Sequence, residues 1–126
     1  QVLIRGDRIA AIGAGARATD STRVIDGGGG TLMPGLIDVH VHMTFGALTS
    51  VQLASPDLTP QLADSLAAIG AERMLLRGFT TVRDMGGPIF SLKRRIDAGR
   101  SLGPRIWPSG AVISQTSGHG DFRLPN

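Results

Sequence analysis

The sequence predicts an α/β fold in two parts: small antiparallel β structure over residues 1–33, then a parallel sheet with intervening helices over residues 34–126. Three observations predict it. Apolar residues alternate on either side of a Gly-Asp pair near the start, and strand-like segments alternate with helical ones from Pro34 onward. The connections between those later strands are too long for hairpins, which leaves parallel crossovers. A chain of 126 residues with 41% hydrophobic content is long enough for one modest core.

The first element is a hairpin. In QVLIRGDRIAAIGAG, Val2 and Ile4 alternate, Gly6-Asp7 takes the turn, and Ile9 to Ile12 returns before another glycine. TRVIDGGGGTLMPG adds a short strand, a glycine run and a second strand ending at Pro34. The glycines at 27–30 are read as a turn between strands. A dinucleotide-binding loop would lead into a helix, whereas Thr31-Leu32-Met33-Pro34 reads extended.

In the second part, GLIDVHVHM is the first strand. A helix is expected within Ser55 to Arg77, with Thr59 as N-cap, Pro60 at the first helical position, Leu62, Leu66 and Ile69 as its apolar stripe, and Gly78 as the stop. FTTVRDMG follows as a strand. Pro88 to Ala98 reads as a shorter helix closed by Gly99, with Phe90, Leu92 and Ile96 among its apolar positions, and PRIWPSGAVIS supplies a third strand region.

Composition narrows the function classes. Net charge is +3, and the basic residues are scattered apart from Lys93-Arg94-Arg95, a run that reads as a solvated helix face. No nucleic-acid partner is expected. There is no cysteine, so any metal must be held by histidine and carboxylate. No apolar run is long enough to span a membrane, and no membrane association is expected. The chain opens at Gln1 without a signal-peptide pattern. The compartment is left unknown, with the cytoplasm as default and an upstream signal peptide still open.

The chemistry concentrates in GLIDVHVHM. Along a strand, side chains alternate, so Leu36, Asp38, His40 and His42 share one face, and Ile37, Val39 and Val41 share the other. The aliphatic face suits packing under helices. The polar face is costly to bury unless its groups are hydrogen-bonded or bound to something. Two imidazoles two residues apart can present nitrogens to one cation such as zinc. The competing reading is a pair of structural histidines satisfied by backbone carbonyls.

TLMPGLIDVHVHM resembles the strand-one signature of the amidohydrolase superfamily, metal-dependent hydrolases on a (β/α)₈ barrel of the TIM type preceded by a small β-sandwich. VLIRGDRIAAIG is similar to the start of that sandwich, GFTTVRDMGG to the second barrel strand and GPRIWPSGAVISQTSGHGD to the third. The last form resembles the branch containing prolidase-like dipeptidases, imidazolonepropionase-related enzymes and ochratoxin-hydrolysing amidases. The resemblance implies that residues 1–33 are sandwich strands and residues 34–126 the first three βα units of an incomplete barrel, since a whole one takes roughly 250 residues.

It further implies that His40 and His42 ligate Zn²⁺ or another divalent metal, as one or two ions. The bridging lysine, two further histidines and the general-base aspartate of such a site are expected downstream of Asn126, and Lys93 keeps its solvated role. His119, between glycines after the third strand, is assigned to substrate binding, against the alternative of a solvent-exposed turn histidine. Asp38 supports a ligand histidine or anchors nearby backbone, Asp84 is read as turn chemistry, and Asp121 braces the His119 loop. The implied reaction is hydrolysis of a C–N bond in a small-molecule amide, a dipeptide or an N-acyl amino acid, with this segment inactive alone. Self-association into a homo-oligomer stays open. The alternatives are a non-catalytic scaffold on the same fold and a small autonomous α/β binding domain.

Overall fold

The computed structural model describes residues 1–121, which divide between Met33 and Pro34 into two compact units. In the first, strands β1 (Val2–Arg5) and β2 (Arg8–Ile12) form an antiparallel hairpin with Val2 opposite Ile12 and Arg5 opposite Arg8. Gly6 takes the turn at φ +60°, a left-handed conformation that costs glycine nothing because it has no Cβ. The hairpin base is closed by the Gly13 N–H donating to the Gln1 carbonyl at 2.9 Å.

The two strands expected between Thr22 and Pro34 do not form. That stretch is irregular except for the glycine turn, where the Gly30 N–H donates to the Gly27 carbonyl at 2.9 Å. Isolated extended backbone gains nothing over coil until a neighbouring strand takes up its N–H and C=O groups. Among the described residues no ladder reaches Val24, Ile25 or Leu32, and all three are exposed.

The second unit is a three-stranded parallel sheet in the order β3 (Leu36–Val41), β4 (Phe79–Asp84), β5 (Arg105–Pro108). The short helix α1 (Ser50–Leu53) and the long helix α2 (Pro60–Leu76) join β3 to β4, and α3 (Phe90–Asp97) joins β4 to β5. The start and stop of α2 lie where the sequence puts them. Thr59 is extended and its Oγ1 accepts the Leu62 N–H at 3.1 Å, Pro60 opens the helix, and Gly78 leaves it at φ +94°. Helix α3 exits through Gly99 at φ +67°. Two residues of its basic run form ion pairs: Lys93 Nζ meets Asp97 at 2.6 Å one turn away, and Arg95 reaches Asp64 of α2 at 2.7 Å, while Arg94 is exposed.

Val82 and Ile106, partners across β4 and β5, centre the core together with Met43, Ala67, Ala71, Ile89 and Leu92. Here α2 differs from expectation. Its buried stripe is Ala63, Ala67 and Ala71, while Leu62 and Ile69 are nearly half exposed. Alanines at four-residue steps make a flat surface that lets the helix lie close to its neighbours, and that closeness leaves no room for leucine. A Cβ on Gly103 would stand 3.1 Å from the Ala71 Cβ, a measure of how tight the packing is.

The aliphatic face of β3 is likewise only partly covered. Val41 packs against the core, but Ile37 and Val39 are exposed, because α2 rests on β4 and α3 on β5. The third strand region is shorter than expected. It ends at Pro108, Gly110 turns the chain at φ +83°, and residues 111–121 run through bends and turns instead of extending the sheet.

Candidate functional site

His40 lies one residue before the end of β3 and His42 immediately after it. Strand alternation puts both imidazoles on one side, with ring centroids 5.4 Å apart and planes inclined at 72°. Both residues are exposed, and the Phe45 ring stands 6.3 Å from that of His42.

The backbone here is irregular for a reason that can be traced. The β3–β4 ladder shifts register between Asp38 and Val41, which takes the groups around His40 out of regular pairing. Side chains take over. The His40 N–H donates to Asp38 Oδ1 at 3.0 Å, and Arg83 Nε donates to the Val39 carbonyl at 2.9 Å. Regular pairing resumes where the Met85 N–H donates to the Val41 carbonyl at 2.8 Å. Asp38, half-buried, therefore holds the main chain of His40 rather than its ring.

His42 is oriented from outside the strand. Its Nδ1 lies 3.3 Å from the Gly86 carbonyl oxygen. A carbonyl only accepts, so this contact requires the proton on Nδ1 and leaves the Nε2 lone pair for a ligand. Gly86 has φ +155°, and a Cβ there would sit 2.6 Å from Val112 Cγ2. Only glycine brings this carbonyl to the ring.

Asp84, which the sequence assigned to a turn, does more than that. It is fully buried, its Oδ1 accepts the Gly86 N–H at 3.0 Å, and its Oδ2 accepts the Met43 N–H at 2.8 Å. The first bond is turn chemistry; the second reaches across to the loop after β3. The only signal for it in the sequence is an aspartate at a strand end followed by glycines, a pattern that ordinary turns share.

His119 is exposed in a separate loop. The Ser117 N–H donates to Asp121 Oδ2 at 2.8 Å, so Asp121 braces the loop, and the Gly120 N–H donates to Ser114 Oγ at 3.2 Å. Among the described residues, no three of histidine, aspartate and glutamate form a group that could hold a metal ion. The structure thus brings His40 and His42 together and joins neither His119 nor a carboxylate to them as a third donor. The bridging lysine, further histidines and general-base aspartate expected downstream of Asn126 lie outside the described residues.

The two imidazoles suit zinc or a similar borderline cation in donor type, and one has its second nitrogen held by a carbonyl, as metal-bound histidines usually do. In number they fall short of the three protein ligands a catalytic zinc takes. A shallow concavity lined by Arg83, Met85, Trp107, Pro108 and Ser109 lies at the ends of β4 and β5, and neither histidine lines it. No helix among the described residues is long and apolar enough to cross a membrane.

The model of the Amidohydrolase family matches residues 31–125. An ochratoxinase from Aspergillus niger is 38% identical over 116 residues, covering 86% of this chain and 22% of its own. The crystal structure of a prolidase complexed with N-methylphosphonate-L-proline superposes with a TM-score of 0.81 at 42% identity, over 97% of this chain and 29% of that one. The crystal structure of an amidohydrolase gives a TM-score of 0.85 at 38% identity, over 99% and 30% respectively. The chain therefore spans between about a fifth and a third of the length of these relatives.

Proposed function

The chain belongs to the amidohydrolase family, and from that premise we propose that the protein containing it is a metal-dependent hydrolase of amide C–N bonds. In this reading residues 1–33 contribute strands of a small β-sandwich, and residues 34–126 form the first three βα units of the family's barrel. His40 and His42 are two of the ligands of one or two divalent cations, zinc by preference. The observation that carries the reading is the pair itself: two imidazoles on one side of β3, at the strand's C-terminal end, where barrel enzymes place their chemistry.

The chain's own residues divide the work. Asp38 fixes the backbone that carries His40. The Gly86 carbonyl selects the tautomer of His42. His119, exposed between glycines, contacts the substrate's carboxylate or scissile carbonyl. When bound, the cation supplies Lewis-acid polarisation of the amide carbonyl and activation of water. The proton passed to the leaving nitrogen belongs to a carboxylate expected after Asn126. Prolidase and ochratoxinase relatives support a small substrate, either a dipeptide or an N-acyl amino acid. With two donors, the 126-residue segment by itself is expected to hydrolyse nothing.

The test uses the intact protein. It should lose dipeptide or N-acyl amino acid hydrolysis on chelation and regain it with zinc. His40→Asn and His42→Asn should each weaken zinc binding by at least about tenfold, since a ligand should matter no less than the outer partners whose loss costs that much. Unchanged zinc content in both variants refutes the assignment.

A further inference from the structure

We propose that Asp84 is a positioning residue that fixes the ring orientation and tautomer of His42. For its consequence on metal affinity the proposal rests on His42 being a ligand; for the ring itself it does not. A turn aspartate needs one bond and some solvent. Asp84 has no exposed surface, and it uses both oxygens on backbone N–H groups from different segments.

Those two groups flank the His42–Gly86 contact on either side. Met43, bound by Oδ2, is the residue directly after His42, so this bond pins the main chain that carries the ring. Gly86, bound by Oδ1, owns the carbonyl that faces Nδ1, so this bond pins the acceptor. A third bond, from the Ser109 N–H to the Asp84 carbonyl at 2.9 Å, ties the same residue to the chain after β5. One carboxylate thus clamps both partners of the contact.

Asparagine keeps the shape but puts an NH₂ where one backbone N–H needs an acceptor. One clamp bond must be lost, and the Gly86 carbonyl and the His42 ring are then free to drift apart. Leu92, fully buried in the core and taking no part in these hydrogen bonds, is the control for mere destabilisation.

The experiment uses the intact protein labelled with ¹⁵N-histidine, and long-range ¹H–¹⁵N spectra of the metal-free form read the tautomer. The wild type should show His42 protonated on Nδ1. Asp84→Asn should shift it to a mixture and weaken zinc binding by about tenfold or more, whereas Leu92→Ala should leave the tautomer as in the wild type. A wild-type His42 protonated on Nε2 overturns the proposal, even where Asp84→Asn fails to fold. If zinc binding requires His40 and His42 yet Asp84→Asn changes neither tautomer nor affinity, the proposal fails while the metal reading stands. If the tautomer follows Asp84 but the wild type binds no zinc, the proposal stands and the metal reading fails.

Discussion

Replacing Gly86 by alanine probes the contact that orients His42 without touching a candidate ligand. Two costs arise from separate features. A non-glycine residue at φ +155° carries backbone strain of about 1–3 kcal/mol. The new Cβ would stand 2.6 Å from Val112 Cγ2, well inside contact distance, and relieving such an overlap costs about another 1–3 kcal/mol. Together Gly86→Ala should destabilise the protein by about 2–6 kcal/mol. The two costs can be separated. With Val112→Ala the offending methyl is gone, and the next nearest atoms are 3.8 Å away, an ordinary distance. In that background Gly86→Ala should cost only the backbone strain, about 1–3 kcal/mol. Urea unfolding of the intact protein, followed by two spectroscopic probes to verify a single transition, measures the wild type, the two single variants and the double variant. A Gly86→Ala cost below about 0.5 kcal/mol, within the range of ordinary surface substitutions, refutes the strain argument. An equal cost in both backgrounds refutes the steric one.

Leu92→Ala should lower the unfolding free energy by about 2–5 kcal/mol, because the side chain is fully buried and the cavity left behind cannot collapse completely; the same urea titration reads it. Lys93→Ala should cost no more than about 0.5 kcal/mol and leave zinc content unchanged, since Lys93 is engaged with Asp97 on a partly exposed helix face. Loss of bound zinc in that variant would show that Lys93, not a residue further along the chain, serves the metal.

Turn and cap chemistry makes several elements legible in the amino acids alone. Gly6-Asp7 marks the hairpin, Thr59, Pro60 and Gly78 bound α2, and Gly99 closes α3, because each of these residues has a local geometric reason to be where it is. The Thr49-to-Gln52 capping box that starts α1 is equally legible as a Thr-x-x-Gln pattern, although no helix was expected there. What fails to show is set by partners distant in the chain. Ranking residues by hydrophobicity puts the leucines of α2 inside, but the residues buried there are Ala63, Ala67 and Ala71, with Ala68 and Met74 partly buried against the core. Extended-looking residues between Thr22 and Pro34 have no ladder among the described residues, and no pattern within them reveals that. The pairing of His40 and His42 follows from alternation alone. The Asp84 bond to Met43 crosses between segments 41 positions apart and leaves no mark on either.

Strand order in the parallel sheet repeats the order of synthesis, β3, then β4, then β5. Each newly made strand finds its neighbour already waiting, as Thr81 does for Arg105, so the layer can grow by accretion while the polypeptide is still being translated. Within this layer no pairing waits on a later, non-adjacent strand, so the facing edges are covered as they form, while the outer edge of β3, unpaired among the described residues, stays open until the proposed barrel closes.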